Sequence, residues 1–462
     1  MIKILELPRV EGHWTNKTIQ IYAERRKTVK ILYEMTYATR GQSGIPRDTI
    51  ALGQILINSE SIQSDFLLNP KSYIRRKRAS NQVSHWVPNE LGDALRREPG
   101  RSAIPPVFIS ALIFFQSLSV RRTITKLKLD SRQVKNTFDF LKLKVGEHKN
   151  DENRGYLLSL SYLARFARPS FMMPFKIKTS EYDFFIQQQV DPIQVSKKTR
   201  HIIRLHDFLP ISHPQFFDQN AVKVFAKSLR LMLKGESKTW VMDSYQTAEA
   251  FKANFGENLD VRVIPCTVKV NLSGFSESYL RKNQICMINT IEPRKRVSLA
   301  IAGFKEAKAR GLISEDWELL IVGNEGWQET SLVGNLKKQL FGTDVCFLEG
   351  APDFEVERVY AESKIVLSAS AAEGFGLPPL EGMSYGCVPV ISDIPQHRET
   401  VGDFGFYFAG DHPKSVAYKI GEAVNALDGK ELSIARRLIQ HVQDNYSEQV
   451  ISRLWGDLLN SK

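Results

Sequence analysis

Short apolar runs alternate with longer amphipathic stretches along much of this 462-residue chain, the rhythm of an α/β fold with parallel sheets. Residues 28–35, TVKILYEM, predict a buried strand. A glycine loop follows (Gly41, Gln42, Ser43, Gly44, Ile45), with a helix expected from about Pro46. Strand, glycine loop and helix together aim backbone N–H groups at a polar or anionic ligand. Further strands are expected at 202–207 (IIRLHD), ending in His206 and Asp207, and at 238–243 (KTWVMD). TAEAFKANFG predicts a helix with Gly256 as its C-cap, and VRVIP a short strand after it.

From about residue 282 the alternation is regular. ICMINT, WELLIVG (ending at Gly323), VCFLEG, KIVLSAS and VPVIS predict strands. VSLAIAGFKEAKAR, a helical segment before VCFLEG, and FEVERVYAES predict helices between them. This repeated β-α unit reads as a Rossmann-like domain. Residues 430–460 predict two helices, the second placed to cross back to the first domain. Residues 60–155 are basic, lack clear periodicity and predict no topology.

Charge divides the chain. Residues 1–200 hold 34 Lys and Arg against 18 Asp and Glu, and the remainder holds 29 against 33. The net charge of +12 therefore resides in the first 200 residues, with a run at Arg75, Arg76, Lys77 and Arg78. A basic half suggests a face for a polyanion, with anionic lipid headgroups and nucleic acid as the two candidates, beside a merely solvated basic surface. Basic motifs interleaved with aromatics, of the kind that stack bases, are missing, so nucleic acid is disfavoured. The apolar stretch Ile104–Leu118 is shorter than the roughly 20 residues of a spanning helix. It reads as a core helix or, with Arg121, Arg122, Lys126 and Lys128 after it, as an interfacial one. The N-terminus has no signal-peptide core, and the four cysteines form no C-x-x-C pair, so a cytoplasmic protein with reduced thiols is expected.

The chemistry concentrates in Ser368–Glu381, SASAAEGFGLPPLE. Pro378 and Pro379 suit a helix start, which places Glu373, Gly374 and Gly376 on a tight loop before it and Glu381 in its first turn. A helix N-terminus offers unpaired N–H groups and partial positive charge, and glycines let a ligand approach the backbone. Carboxylates beside such an anion site would repel a diphosphate, so each must meet hydroxyls instead. A ligand with a diphosphate between two polyols fits, and a nucleotide sugar has that shape.

EGFGLPPLE resembles the E-x7-E motif of retaining GT-B glycosyltransferases, specifically the family-four group. The segments INTIEPRKR, LLIVGNEGW, CFLEGAPDFEVERVYAES and GCVPVISDIPQHRETVGDFGFYF continue the resemblance across about 285–410. It implies an α/β GT-B fold, two Rossmann-like domains facing each other across a cleft. An acceptor-binding domain would span 1–268, completed by a C-terminal helix at about 447–462, and a nucleotide-sugar domain 269–446. It also implies that Glu373 contacts the donor sugar, that the amides of Gly374, Phe375, Gly376 and Leu377 hold sugar and phosphate, and that Glu381 binds the ribose. Gly323 ends the strand equivalent to the family's next one. The family sets an Arg and a Lys against the diphosphate. Lys295 matches the Lys, the Arg position is Thr290, and Arg294 is the candidate replacement. His206 would act from across the cleft, while Ser43, Gly44 and Arg47 would touch acceptor or phosphate.

The resemblance implies transfer of a hexose with retention, catalysed by Glu373, His206, Lys295 and Arg294. The expected acceptor is a glycan or lipid-linked glycan of bacterial surface polysaccharide or lipopolysaccharide, met at the inner face of the plasma membrane. The pattern leans to GDP-mannose, with rhamnose or other donors fitting nearly as well. No D-x-D or H-E-x-x-H occurs, so no metal and no cofactor beyond the donor are expected. An epimerase or phosphorylase on the same fold, or a silent partner subunit, remain alternatives.

Overall fold

The computed structural model describes residues 28–35, 44–59, 61–68, 125–127, 156–158, 175–177, 179–235, 237–270, 281–324, 326 and 344–461. Ser43, the run at residues 75–78, the stretch 104–118 and most of the segment between residues 323 and 344 lie outside them.

The first sheet is built on β1 (Val29–Glu34), whose inner residues Ile31, Leu32 and Tyr33 have no exposed surface. β1 pairs in parallel with β2 (Ile62–Leu68) on one side. On its other side lies β6 (Phe184–Gln187), also parallel. Beyond β6 the sheet adds β8 (Arg200–Leu205), β9 (Thr239–Met242) and β10 (Asp260–Val263), all parallel. Beyond β2 it adds β4 (Tyr156–Leu158) in parallel and β3 (Thr125–Leu127) antiparallel at the edge. That antiparallel edge strand falls in the region where the sequence predicted no topology. A small parallel pair, β5 (Phe175–Lys176) and β7 (Ile193–Gln194), stands apart. The order β10-β9-β8-β6-β1-β2-β4-β3 reverses its winding between β1 and β6. A reversal of this kind opens a crevice at the carboxyl ends of the two strands.

The second sheet holds β11 (Lys282–Ile288), β12 (Glu318–Val322), β13 (Val345–Leu348), β14 (Ser363–Ser368), β15 (Val388–Ser392) and β16 (Phe406–Phe408). All pairs are parallel, in the order β13-β12-β11-β14-β15-β16, the doubly wound Rossmann arrangement. Strands buried on both faces read as continuous apolar runs, which is why KIVLS and VPVIS were legible as strands. Here the winding reverses between β11 and β14, so residues 289–295 and 369–376 flank the second crevice.

The helices that matter to the site are α1 (Gly44–Asn58) and α2 (Tyr245–Phe255) on the first domain. On the second they are α3 (Asp353–Glu362), α4 (Leu377–Ser384) and α5 (Pro395–Val401). Two further helices, α6 (Glu431–Tyr446) and α7 (Glu448–Asn460), end the described chain. Ile451, Trp455, Leu458 and Leu459 of α7 pack into one cluster with Ile31, Tyr33, Leu52, Ile55 and Val241 of the first domain. Chain also crosses in the other direction: Ile264 packs in that first core, whereas Cys266 and Val268 pack in the second, a few residues ahead of the division expected after 268. The two crossings are tied where the Val268 amide donates to the Tyr446 carbonyl at 2.9 Å.

Candidate functional site

A cavity of about 500 Å³ lies between the two crevices. Ile45, Arg47, His206, Asp207 and Asp243 line it from the first domain. From the second come Asn289, Thr290, Glu292, Arg294, Lys295, Gly323, Glu373–Leu377 and Glu381. The site residues expected from the sequence thus converge, save Ser43, which is outside the described residues, and Gly44, which begins α1 without lining the cavity.

The second-domain wall starts from β14. After Ser368 the chain turns through residues 369–375 and enters α4 behind Gly376, whose φ of +91° is left-handed. No side chain caps this helix start, so its amides keep the partial positive charge of a helix N-terminus. Because Gly376 is the N-cap, Leu377 is the first helical residue and Glu381 the fifth. Glu381 therefore sits one turn in, not in the first turn as the sequence suggested. It keeps company with Tyr360 of α3, whose hydroxyl donates to Oε2 at 3.0 Å. Phe375 turns its ring inward, edge-on to Tyr446 at 5.6 Å, so only its backbone is available to a ligand. Gly323, just after β12, lies against the backbone of Asn289.

Glu373 is buried and held by two cations. Lys295 Nζ donates to Oε1, and Arg294 Nη1 donates to Oε2 at 2.8 Å. Burial alone would raise its pKa, but Lys295 and then Arg294 hold the carboxyl well below the usual range. Arg294 also donates to the Ala372 carbonyl at 2.7 Å, and its own carbonyl accepts from the Ala371 amide at 2.8 Å. The turn Pro293–Lys295 is thus stapled to the acidic loop rather than being a solvated helix start. Thr290 lines the cavity without adding charge.

The opposite wall is a buried network. His206 follows β8; Nδ1 lies 2.8 Å from Asp243 Oδ2, and Nε2 lies 2.9 Å from Gln188 Oε1. The Tyr33 hydroxyl donates to the Thr49 carbonyl at 2.9 Å, so it accepts from Gln188 Nε2, and this fixes the Gln188 oxygen toward His206. Both ring nitrogens then face acceptors, and only the imidazolium can donate from both. Charge balance agrees: Arg204, fully buried, pairs with Asp243 at 2.9 Å and with Asp48 at 3.2 Å, so the two acids need a second cation. Burial pushes the His206 pKa down, but Asp243 and then Asp48 outweigh it, and the pKa is raised. Asp243 is held low: burial would raise it, and Arg204 and His206 prevail. Asp207 bonds the Leu209 amide at 3.0 Å and so orients the loop, while burial raises its pKa.

Asp48, His206 and Cys266 place donor atoms within 4.8 Å of one another. The Arg204 guanidinium on Asp48 and the engaged imidazolium leave this set electrostatically unsuited to a cation.

The walls meet at Gly374. A Cβ there would fall 2.4 Å from the His206 carbonyl oxygen, so only glycine permits this approach. Its carbonyl lies 2.9 Å from Ser244 Oγ and 2.8 Å from Thr247 Oγ1, at the start of α2. Glu399 of α5 returns the contact, accepting from the Tyr245 and Gln246 amides at 2.7 and 2.8 Å. On the far side of the cavity, Arg47 of α1 pairs with Glu381. Sequence reasoning missed Gln188, Arg204, Asp243, Ser244, Thr247, Tyr360 and Glu399. Of these only Ser244 carried a local signal, as the N-cap of a visible helix.

A family model described as glycosyl transferases group 1 matches residues 271–431. The serotype-specific mannosyltransferase WbdA of Escherichia coli is 27% identical over 245 residues, covering 47% of this chain and 29% of WbdA. O-antigen chain mannosyltransferase B of Escherichia coli is 24% identical over 272 residues, covering 55% of this chain and 69% of that protein. The chain thus spans less than a third of the length of WbdA. Among solved structures, Anabaena HepE in complex with UDP-glucose superposes with a TM-score of 0.58 at 15% identity, covering 94% of this chain and all of that one. A point mutant of S. aureus TarM, in complex with Fondaparinux, alpha-GlcNAc-glycerol and UDP, also gives 0.58, at 13% identity and 94% and 100% coverage. The fold is therefore the two-domain GT-B arrangement.

Proposed function

We propose that this chain is a retaining glycosyltransferase that moves a hexose, mannose foremost, from a nucleotide-diphosphate sugar to a glycan acceptor in bacterial surface polysaccharide synthesis. The observation that carries the reading is the uncapped start of α4, flanked by Glu373 and Glu381 and backed by Lys295 and Arg294, in a cavity between two domains. The mannosyltransferase names of the sequence relatives favour mannose, and the UDP-glucose complex of HepE supports a nucleotide sugar in such a cleft.

In this reading the amides of Gly374–Leu377 take the phosphates and the sugar edge, Glu381 the ribose diol, and Glu373 the sugar hydroxyls. Lys295 and Arg294 stabilise the nucleotide diphosphate as the glycosidic bond breaks. Both Glu373 oxygens are engaged by cations, which makes that carboxylate a poor covalent nucleophile. Attack from the donor's own face follows, with a phosphate oxygen taking the acceptor's proton. No metal or further cofactor enters. His206, with both ring nitrogens engaged by Asp243 and Gln188, contributes a fixed positive charge behind the site rather than a hydrogen bond to the sugar, and closure of the two walls limits hydrolysis.

The basic first 200 residues support docking on an anionic membrane face. Among the described residues no helix is long and apolar enough to cross a membrane. Co-sedimentation with anionic and neutral vesicles tests the docking, and equal recovery with both would remove it. The reaction is tested by a thermal-shift panel of nucleotide sugars, then by anomeric NMR of the product made from the best donor. GDP-mannose is expected to give the largest shift and an α-linked product. An inverted linkage would remove the retaining step, and no transfer from any donor would remove the activity.

A further inference from the structure

Among the described residues, the cavity is short of free positive charge for a site meant to take a diphosphate. Five acids line it (Asp207, Asp243, Glu292, Glu373 and Glu381), against Arg47, Arg294, Lys295 and His206. Three of those four cations sit buried against protein partners. His206 is fixed between Asp243 and Gln188. Arg294 and Lys295 hold Glu373, and their side chains are only 13% and 10% exposed. Arg47 differs: its side chain is 35% exposed, it reaches across the cleft from α1, and its partners are Glu381 and, at 3.8 Å, Asp353. A long side chain with that freedom exchanges partners at small cost.

Glu381 can release it. Its other oxygen keeps the Tyr360 hydroxyl at 3.0 Å, and a ribose diol would donate in place of the guanidinium. A diphosphate carries more charge than one carboxylate and accepts a guanidinium in bidentate fashion. The position where an Arg was expected on the donor wall is Thr290, so a cation is wanted there.

We propose that Arg47 is an exchangeable counter-ion of the donor site. It neutralises Glu381 while the cavity is empty and transfers to the diphosphate when a nucleotide claims that carboxylate. This rests on the nucleotide-sugar reading above and deepens it. Because Arg47 belongs to the opposite domain, diphosphate binding and cleft closure become one event, whereas a nucleoside without phosphates must compete with Arg47 and gains nothing from it.

The two consequences have opposite signs, which gives the test. Calorimetric titration compares full-length wild type with Arg47→Met, using GDP or UDP, whichever stabilises the wild type more, and the matching nucleoside measured by competition. Arg47→Met is expected to weaken the diphosphate about tenfold while nucleoside affinity holds or rises. Arg47→Lys should recover part of the diphosphate loss. An unchanged diphosphate affinity, or parallel losses on both ligands, overturns the proposal. Lys295→Met, expected to weaken the diphosphate, separates the two levels of failure. If wild type binds neither diphosphate, the nucleotide reading falls and this inference with it. If wild type and Lys295→Met behave as required while Arg47→Met discriminates as wild type does, this inference alone falls.

Discussion

The two walls of the cleft both bury ion pairs, yet they use them differently. On the donor wall Glu373, Arg294 and Lys295 sit on loops around an uncapped helix start, and a ligand can compete for every partner. On the opposite wall Asp48 on α1, Arg204 in β8, and His206 and Asp243 just past the ends of β8 and β9 pair with one another within the protein. A buried pair left without one partner costs far more than the pair contributes. The donor wall is therefore poised to trade partners, and the opposite wall to hold position.

The largest effect that would sharpen this contrast is on catalysis. If Glu373 holds the sugar as proposed, Glu373→Gln should lower transfer on the order of 10³-fold, because that contact is lost where charge develops. The same change frees Lys295 and Arg294, so nucleoside diphosphate should bind more tightly. Product assays and calorimetry read the two together, and a fall in both would show that the cations need Glu373 to stay in place.

The opposite wall should answer in stability. Asp243→Asn leaves Arg204 and His206 short of an anion and should cost about 3–5 kcal/mol of unfolding free energy. Equilibrium denaturation measures it. A cost below about 1 kcal/mol would mean the network is solvated in practice and the contrast between the walls is false.

What the sequence revealed follows the same line. The donor wall is built from neighbours: Glu373, Gly374, Gly376 and Glu381 lie in one run, so loop, helix start and acids were visible together. The one local error, the turn on which Glu381 sits, came from the left-handed Gly376, which starts the helix at once. The opposite wall is assembled from β1, α1, β6, β8 and β9, and topology alone brings its residues together. His206 stood out at a strand end, but Gln188, Asp48 and Asp243 could not be tied to it, and Arg204 carries no signal of its own inside IIRLHD. The antiparallel β3 was invisible because a three-residue edge strand has no periodicity to detect.

pH separates the walls again, with opposite signs. The raised pKa of His206 means that its contribution is full below about pH 6.5 and fades as pH rises through the native value. The depressed pKa of Glu373 means that its contribution is full above about pH 4.3 and is lost as acid titrates it. In denaturation series across pH, the advantage of wild type over His206→Gln should shrink toward alkali. That over Glu373→Gln should shrink toward acid. A His206 advantage that grows with pH would mean that the imidazole is neutral and Gln188 is turned around.

The smallest effect concerns the joint where the walls touch. Glu399 accepts two amides at the start of α2, a charged cap supplied by the other domain. Glu399→Gln removes the charge facing the helix dipole and leaves one acceptor oxygen, so a loss of about 0.5–1 kcal/mol is expected. This contact lies on the side of Gly374, Ser244 and Thr247, away from the pair of Arg47 and Glu381. No ligand group is needed to satisfy it, so the loss should be the same with and without nucleoside diphosphate in the denaturation buffer. Arg47→Met should behave otherwise, its cost depending on the ligand. If the Glu399→Gln cost also changed on adding nucleotide, the joint would be moving with the donor, and the cleft would have no fixed pivot about which to close.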